Sequence, residues 1–194
     1  MDRRLKRLIL ILATLTISTF IIGCSSNEIS EESLDDDVMD EGDYEENTST
    51  GLPDFNLKDL EGNMVSSEIF KDYNMTIANI WQSTWGPCID ELEALNIIYE
   101  DYGDKGVNVI GIAVDNVEIV GDEGIQRIAE ALELKFTNLI SDKDYLMKLL
   151  QYVEGTPTTF VLGKEGEFLM DSKIGTMGVE KDVEFFKNII QDIL

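Results

Sequence analysis

Two short runs almost free of charge, Met75-Thr76-Ile77-Ala78-Asn79-Ile80-Trp81 and Val107-Asn108-Val109-Ile110-Gly111-Ile112-Ala113-Val114-Asp115, restrict the fold of this chain more than any other feature. A strand covered by helices on both sides shows no alternation of polar and apolar residues, so each run reads as a buried strand of a parallel sheet. Between them the period changes. Ile89, Leu92, Leu95 and Tyr99 recur at helical spacing, Asp90, Glu91 and Glu93 fall early in the run, and Pro87 suits a first helical turn. Strand, helix and strand in this order form a βαβ unit and place the chain in the α/β class.

Elements on either side extend the unit. Pro53-Asp54-Phe55-Asn56-Leu57 and Met64-Val65-Ser66 flank the turn signal Glu61-Gly62-Asn63, which predicts a hairpin. Helical spacing is predicted over Gly124 to Leu134 and Asp144 to Val153. Strands are expected at Thr158 to Gly163 and Phe168 to Ile174, around Lys164-Glu165-Gly166. An amphipathic helix from Val179 to Leu194, with Val183, Phe186, Ile189, Ile190 and Ile193 on one face, closes the chain.

The first residues do not belong to this pattern. Arg3, Arg4, Lys6 and Arg7 precede an uncharged, mostly apolar run from Leu8 to Ile22, the arrangement of an export signal. Ile21-Ile22-Gly23-Cys24 resembles a bacterial lipobox, so residues 1–23 are expected to be a signal peptide and Cys24 the lipidated residue. An uncleaved signal anchor is the alternative. Ser25 to Thr50 hold many Asp and Glu and not one Lys or Arg, and such a segment cannot bury enough apolar surface to offset the entropy of ordering. Residues 24–51 are therefore expected to be an acidic disordered linker, and 52–194 the folded domain.

Charge and composition exclude several functions. With 15 Lys+Arg against 39 Asp+Glu the formal net charge is −24, which repels phosphate backbones, so no nucleic-acid partner is expected. The chain contains no histidine, which removes Cys-His and Ser-His nucleophile pairs and every histidine-containing metal site. No cofactor and no metal are expected.

The chemistry that remains centres on Cys88, in the stretch Asn79-Ile80-Trp81-Gln82-Ser83-Thr84-Trp85-Gly86-Pro87-Cys88. A helix N-terminus favours a thiolate, the reactive form of cysteine. With the helix starting near Gly86-Pro87, however, position 85 is at the exposed mouth, and Cys88 lies almost a turn inside, turned toward the body of the domain. Burial raises a thiol's pKa and limits access to it. Trp81 is expected to be packing, and Trp85 to be an exposed ring suited to binding.

This stretch resembles the active-site segment of the thioredoxin-like thiol-disulfide oxidoreductases (redoxins) of the membrane-tethered, extracytoplasmic TlpA/ResA type, which read Cys-Gly-Pro-Cys after a strand. Pro53 to Leu57 with Gly62 resembles that family's N-terminal hairpin, and Gly155-Thr156-Pro157-Thr158-Thr159-Phe160 its cis-proline loop and following strand. The resemblance covers about 140 residues. It implies a thioredoxin-like fold, a central mixed β-sheet flanked by helices with an N-terminal β-hairpin extension. It also implies a polypeptide thiol or disulfide client, and a membrane thiol-disulfide transporter as reductant.

In that family the upstream cysteine attacks the client disulfide and the downstream cysteine resolves the mixed intermediate. Here Trp85 holds the attacking position and only the resolving one, Cys88, is matched, so a dithiol cycle within one chain is excluded. Trp85, Thr156 and Pro157 are the residues the resemblance marks for substrate binding. Two functions follow: a tethered member of the oxidoreductase family impaired in dithiol exchange, or a redox-inactive module that holds an extended polypeptide between Trp85 and Pro157. A single-cysteine peroxidase is a third: peroxidases of related fold put a threonine and a proline ahead of the cysteine and an arginine beside the thiolate, whereas here Thr84 is one residue too far upstream and Arg127 is the only arginine after the signal region.

Overall fold

The computed structural model describes residues 50–115 and 121–194. The expected signal segment, the lipobox with Cys24 and nearly all of the acidic linker lie outside the described residues. Strands β1 (Asn56–Asp59) and β2 (Met64–Ser66) form the N-terminal hairpin, and a 3₁₀ turn over Ser67–Asp72 leads to β3 (Met75–Trp81). Helix α1 (Gly86–Tyr102) carries the chain to β4 (Val107–Ala113). Helix α2 (Asp122–Ala131), β5 (Thr137–Ile140) and α3 (Lys143–Leu149) follow. Strands β6 (Thr158–Leu162) and β7 (Lys173–Ile174) precede the closing helix α4 (Val179–Ile193).

The strands make one mixed sheet of seven in the order β2-β1-β5-β4-β3-β6-β7. Strands β3 and β4 are parallel, with Met75 opposite Val107 and Trp81 opposite Ala113. Both are buried along their whole length because each face carries its own core. Met75, Ile77 and Trp81 point to the face covered by α1, α2 and α4, where Cys88, Leu92, Ile125 and Phe186 pack. Ala78 and Ile80 point to the other face, with Phe55, Phe70, Tyr145 and Leu149. Fully burying a side chain of this size contributes about 1.5–3 kcal/mol each, so the uninterrupted apolar runs are what hold the two layers to the sheet.

Three expectations are corrected. Strand β5 was not expected: Thr137-Asn138-Leu139-Ile140 is too short and too polar at its start to show a period, yet it joins the hairpin to the βαβ unit, antiparallel to β1 and parallel to β4. The first hairpin strand is 56–59, shifted from 53–57, because the Asp59 carboxylate accepts from the amides of Glu61 and Asn63 and so sets the turn. The expected strand at 168–174 shrinks to Lys173–Ile174, with Phe168 making only an isolated bridge to Leu162.

Gly111 lies opposite Asn138, and a Cβ at Gly111 would be 2.1 Å from Asn138 Oδ1 and 2.9 Å from Trp81 Nε1. Gly51 pairs with Glu167, and the Thr50 carbonyl accepts from the Phe168 amide, next to Leu162, whose partner across the sheet is Thr76 at the start of β3. Among the described residues no helix is long and apolar enough to cross a membrane.

Candidate functional site

The loop between β3 and α1 is fixed from both ends. The Trp81 carbonyl accepts from the Val114 amide at 2.9 Å, which extends the β3–β4 ladder to the edge of the loop. Beyond it the Ser83 amide donates to both oxygens of Asp115 (3.1 and 3.0 Å) and the Ser83 hydroxyl donates to one of them at 2.7 Å. Asp115 is buried, so this fork pins Gln82 to Thr84 over the end of β4. The Trp85 amide then donates to the Gln82 carbonyl, and α1 begins at Gly86 with Pro87 in its first turn.

Trp85 is the residue before the helix, in extended backbone with no side-chain cap, and its indole is 52% exposed. Cys88 is 0% exposed, within the core under α1. Its Sγ accepts from the Gln82 amide at 3.5 Å. Burial pushes the thiol pKa up, and the Glu91 and Asp115 carboxylates act in the same direction; the Gln82 amide and the Thr156 hydroxyl oppose them without overcoming them. The helix start is present, but desolvation wins at this depth.

Across the site the Thr156–Pro157 peptide bond is cis. Pro157 is buried and Thr156 is half-buried, with the Thr156 hydroxyl donating to Gln82 Oε1 at 3.0 Å. The Pro157 carbonyl accepts from the Gly175 amide at 2.8 Å, which brings the exposed side chains of Ile174 and Met177 to the same end of the sheet. The structure therefore joins three of the expected site residues, Cys88, Thr156 and Pro157, through Gln82, and sets Trp85 at the rim. Cys24 lies outside the described residues. Thr84 is exposed, and Arg127 lies exposed on α2 with Nε donating to the Glu123 carbonyl.

A buried polar network beneath the site was missed from the sequence. Lys173 Nζ sits between Glu91 Oε1 (2.7 Å) and Asp182 Oδ1 (3.0 Å), and both carboxylates are 0% exposed. Asn79 Nδ2 donates to Glu91 Oε2 at 3.1 Å and to Thr159 Oγ1 at 2.8 Å. Asp182 also accepts from the Thr176 hydroxyl and the Met177 amide. Burial raises the Glu91 pKa, which Lys173 partly offsets and Asp182 reinforces. One signal was available: Glu91 follows Cys88 by three residues on the apolar stripe of α1, where a charge needs a partner.

Cys88 is the one free cysteine among the described residues, so an internal disulfide has no second sulfur there. No metal-binding group of His, Cys, Asp or Glu occurs among them either. What the site offers is an exposed aromatic ring, a shielded thiol and a polar loop that can face an extended chain.

Comparison with known proteins agrees with the fold. A profile of the AhpC/TSA family matches residues 49–168. The thiol-disulfide oxidoreductase ResA of Bacillus thuringiensis is 28% identical over 137 residues, spanning 71% of this chain and 75% of the relative. The thioredoxin-like protein YneN of Bacillus subtilis is 29% identical over 136 residues, 68% and 74% of the two chains. Among solved structures, StoA from Bacillus subtilis superposes with a TM-score of 0.56 at 27% identity, covering 71% of this chain and 99% of that one. The thioredoxin domain of a thiol-disulfide oxidoreductase from Bacteroides vulgatus gives 0.62 at 21% identity, covering 74% and 96%.

Proposed function

Because the chain belongs to the AhpC/TSA family and has the thioredoxin-like fold, we propose that it is a membrane-tethered, extracytoplasmic member impaired in dithiol exchange, which holds an extended polypeptide between Trp85 and the Thr156–Pro157 loop. The tether in this reading is the lipidated Cys24 followed by the acidic linker of residues 24–51, of which Thr50 and Gly51 already pair with Phe168 and Glu167 of the folded domain, and 52–194 is the working domain. Relatives named as thiol-disulfide oxidoreductases support the client class, a polypeptide that carries thiols or a disulfide.

One observation carries the reading: the residue at the mouth is a half-exposed tryptophan, and the one cysteine among the described residues has no exposure at all. Thiol-disulfide exchange requires a thiolate to reach a disulfide sulfur in line, and a shielded thiol with a raised pKa meets neither requirement. A membrane thiol-disulfide transporter would find no accessible cysteine among the described residues to engage. The same shielding weighs against a peroxidase, as does Arg127, whose Nε is engaged within its own helix.

The test is insulin reduction by dithiothreitol. The unmodified protein is expected at the uncatalysed rate, and Trp85→Cys to accelerate the reaction at least about tenfold, since the introduced sulfur attacks the disulfide and Cys88 resolves the mixed intermediate. Turnover by the unmodified protein equal to that of Trp85→Cys would overturn the reading.

A further inference from the structure

A second recess opens beside the Thr156 loop, on the face of the sheet opposite Cys88. It encloses about 350 Å³. Ile80 and Leu149 are its floor, Val114 and Val153 its walls, and Leu146 and Leu150 its outer lip. The floor belongs to the core, since Ile80 and Leu149 are almost fully buried, whereas Leu150 is 59% exposed at the entrance. The volume is at the low end for ligand pockets and suits one large apolar side chain.

The rim is what narrows the occupant. Gln82 and Thr156 form one edge and are the residues that join the recess to the Trp85 groove. Glu154 lies on the rim, exposed, with no hydrogen bond or ion pair among the described residues, and no lysine or arginine lines the recess. An unpaired carboxylate beside an aliphatic hollow, on a chain of net charge −24, favours a cation next to an apolar group and disfavours an anion there.

We propose that this recess is a specificity subsite for the bound polypeptide, taking a large aliphatic or aromatic side chain whose neighbour in the client is Lys or Arg paired with Glu154. The subsite rests on the groove reading given above, and it adds what that reading leaves open, the kind of sequence that is held. Contact with Glu154 is at the surface and supplies selection more than strength, and burial of the side chain against Val114, Leu146, Leu150 and Val153 supplies most of the affinity.

The test uses the full-length chain and dye-labelled Gly/Ser host peptides with a central Leu-Lys, Ser-Lys or Leu-Glu, read by fluorescence anisotropy at low ionic strength. The Leu-Lys peptide is expected to bind about tenfold more tightly than either of the others. Glu154→Lys should reverse the order of Leu-Lys and Leu-Glu, and Leu150→Asp should remove the advantage of Leu over Ser; both positions are exposed, so the fold, checked by circular dichroism, is retained. Equal affinity for all three peptides, with binding lost in Trp85→Ala, overturns the subsite and leaves the groove reading standing. If none of the three binds, both are overturned.

Discussion

The Cys88 amide donates to the Trp85 carbonyl at 2.9 Å, and the two residues joined by that bond have opposite surroundings, an indole 52% exposed and a thiol with no exposure. A single turn of helix separates the surface that a partner can touch from the sulfur it cannot. Exposure at the mouth and a thiol, which a cysteine at position 85 would combine, are divided here between two side chains three residues apart.

Alkylation measures that division directly. Burial disfavours the Cys88 thiolate, so its labelling by iodoacetamide is expected to be at least about tenfold slower in the native protein than in urea near neutral pH. The native pH profile should also be displaced upward, because the folded thiol deprotonates at higher pH than the unfolded one. Equal rates in the two states would show an open, activated thiol.

Glu91 gives a pH dependence of opposite sign to that of an ordinary paired carboxylate. Its folded pKa is raised, so the native state binds more protons than the unfolded state between the two pKa values, and the stability associated with this group is present at lower pH and lost as pH rises through the folded value. Glu91→Gln should therefore resemble the parent in acid and gain on it progressively as the pH climbs above the ordinary glutamate range. Urea titrations across that range check the trend, and a gap that closes with rising pH would refute it.

Among the described residues Lys173 is the one cation between the buried carboxylates of Glu91 and Asp182. Lys173→Met leaves them facing each other without compensation and is expected to cost about 3–5 kcal/mol. Adding Glu91→Gln to that variant should recover a large part of the loss. Denaturant unfolding of the single and double variants measures both quantities, and additive effects would mean that the two residues do not interact.

Gly111→Ala places a methyl group 2.1 Å from Asn138 Oδ1 and 2.9 Å from Trp81 Nε1. Overpacking at a buried site of this kind costs about 1–3 kcal/mol. Asn138→Ala in the same chain opens the space and should return part of the stability, whereas Asn138→Ala alone should be destabilising. Thermal unfolding of the four proteins completes the cycle, and no coupling between the two positions would contradict the close approach.

The parts of the fold that were legible in the sequence are those whose signal lies within one element. The apolar runs at β3 and β4 and the helical phase of α1 were enough to place Cys88 inward and Trp85 outward, as found. Strand β5 was illegible because four residues beginning Thr-Asn carry no period, and its place is set by partners on both sides. The buried network was illegible for a related reason: Lys173 and Glu91 are 82 residues apart, and only the return of β7 beside β6 brings them to 2.7 Å. A lysine next to an exposed isoleucine reads as surface until the sheet is assembled.

The chain enters the sheet at Thr50 and Gly51, alongside the first residues of β3, whereas Trp85 follows the last. Seven strand residues at about 3.3 Å apiece set these two points roughly 20 Å apart. Thr50, the first of the described residues, thus lies at the opposite end of β3 from the indole.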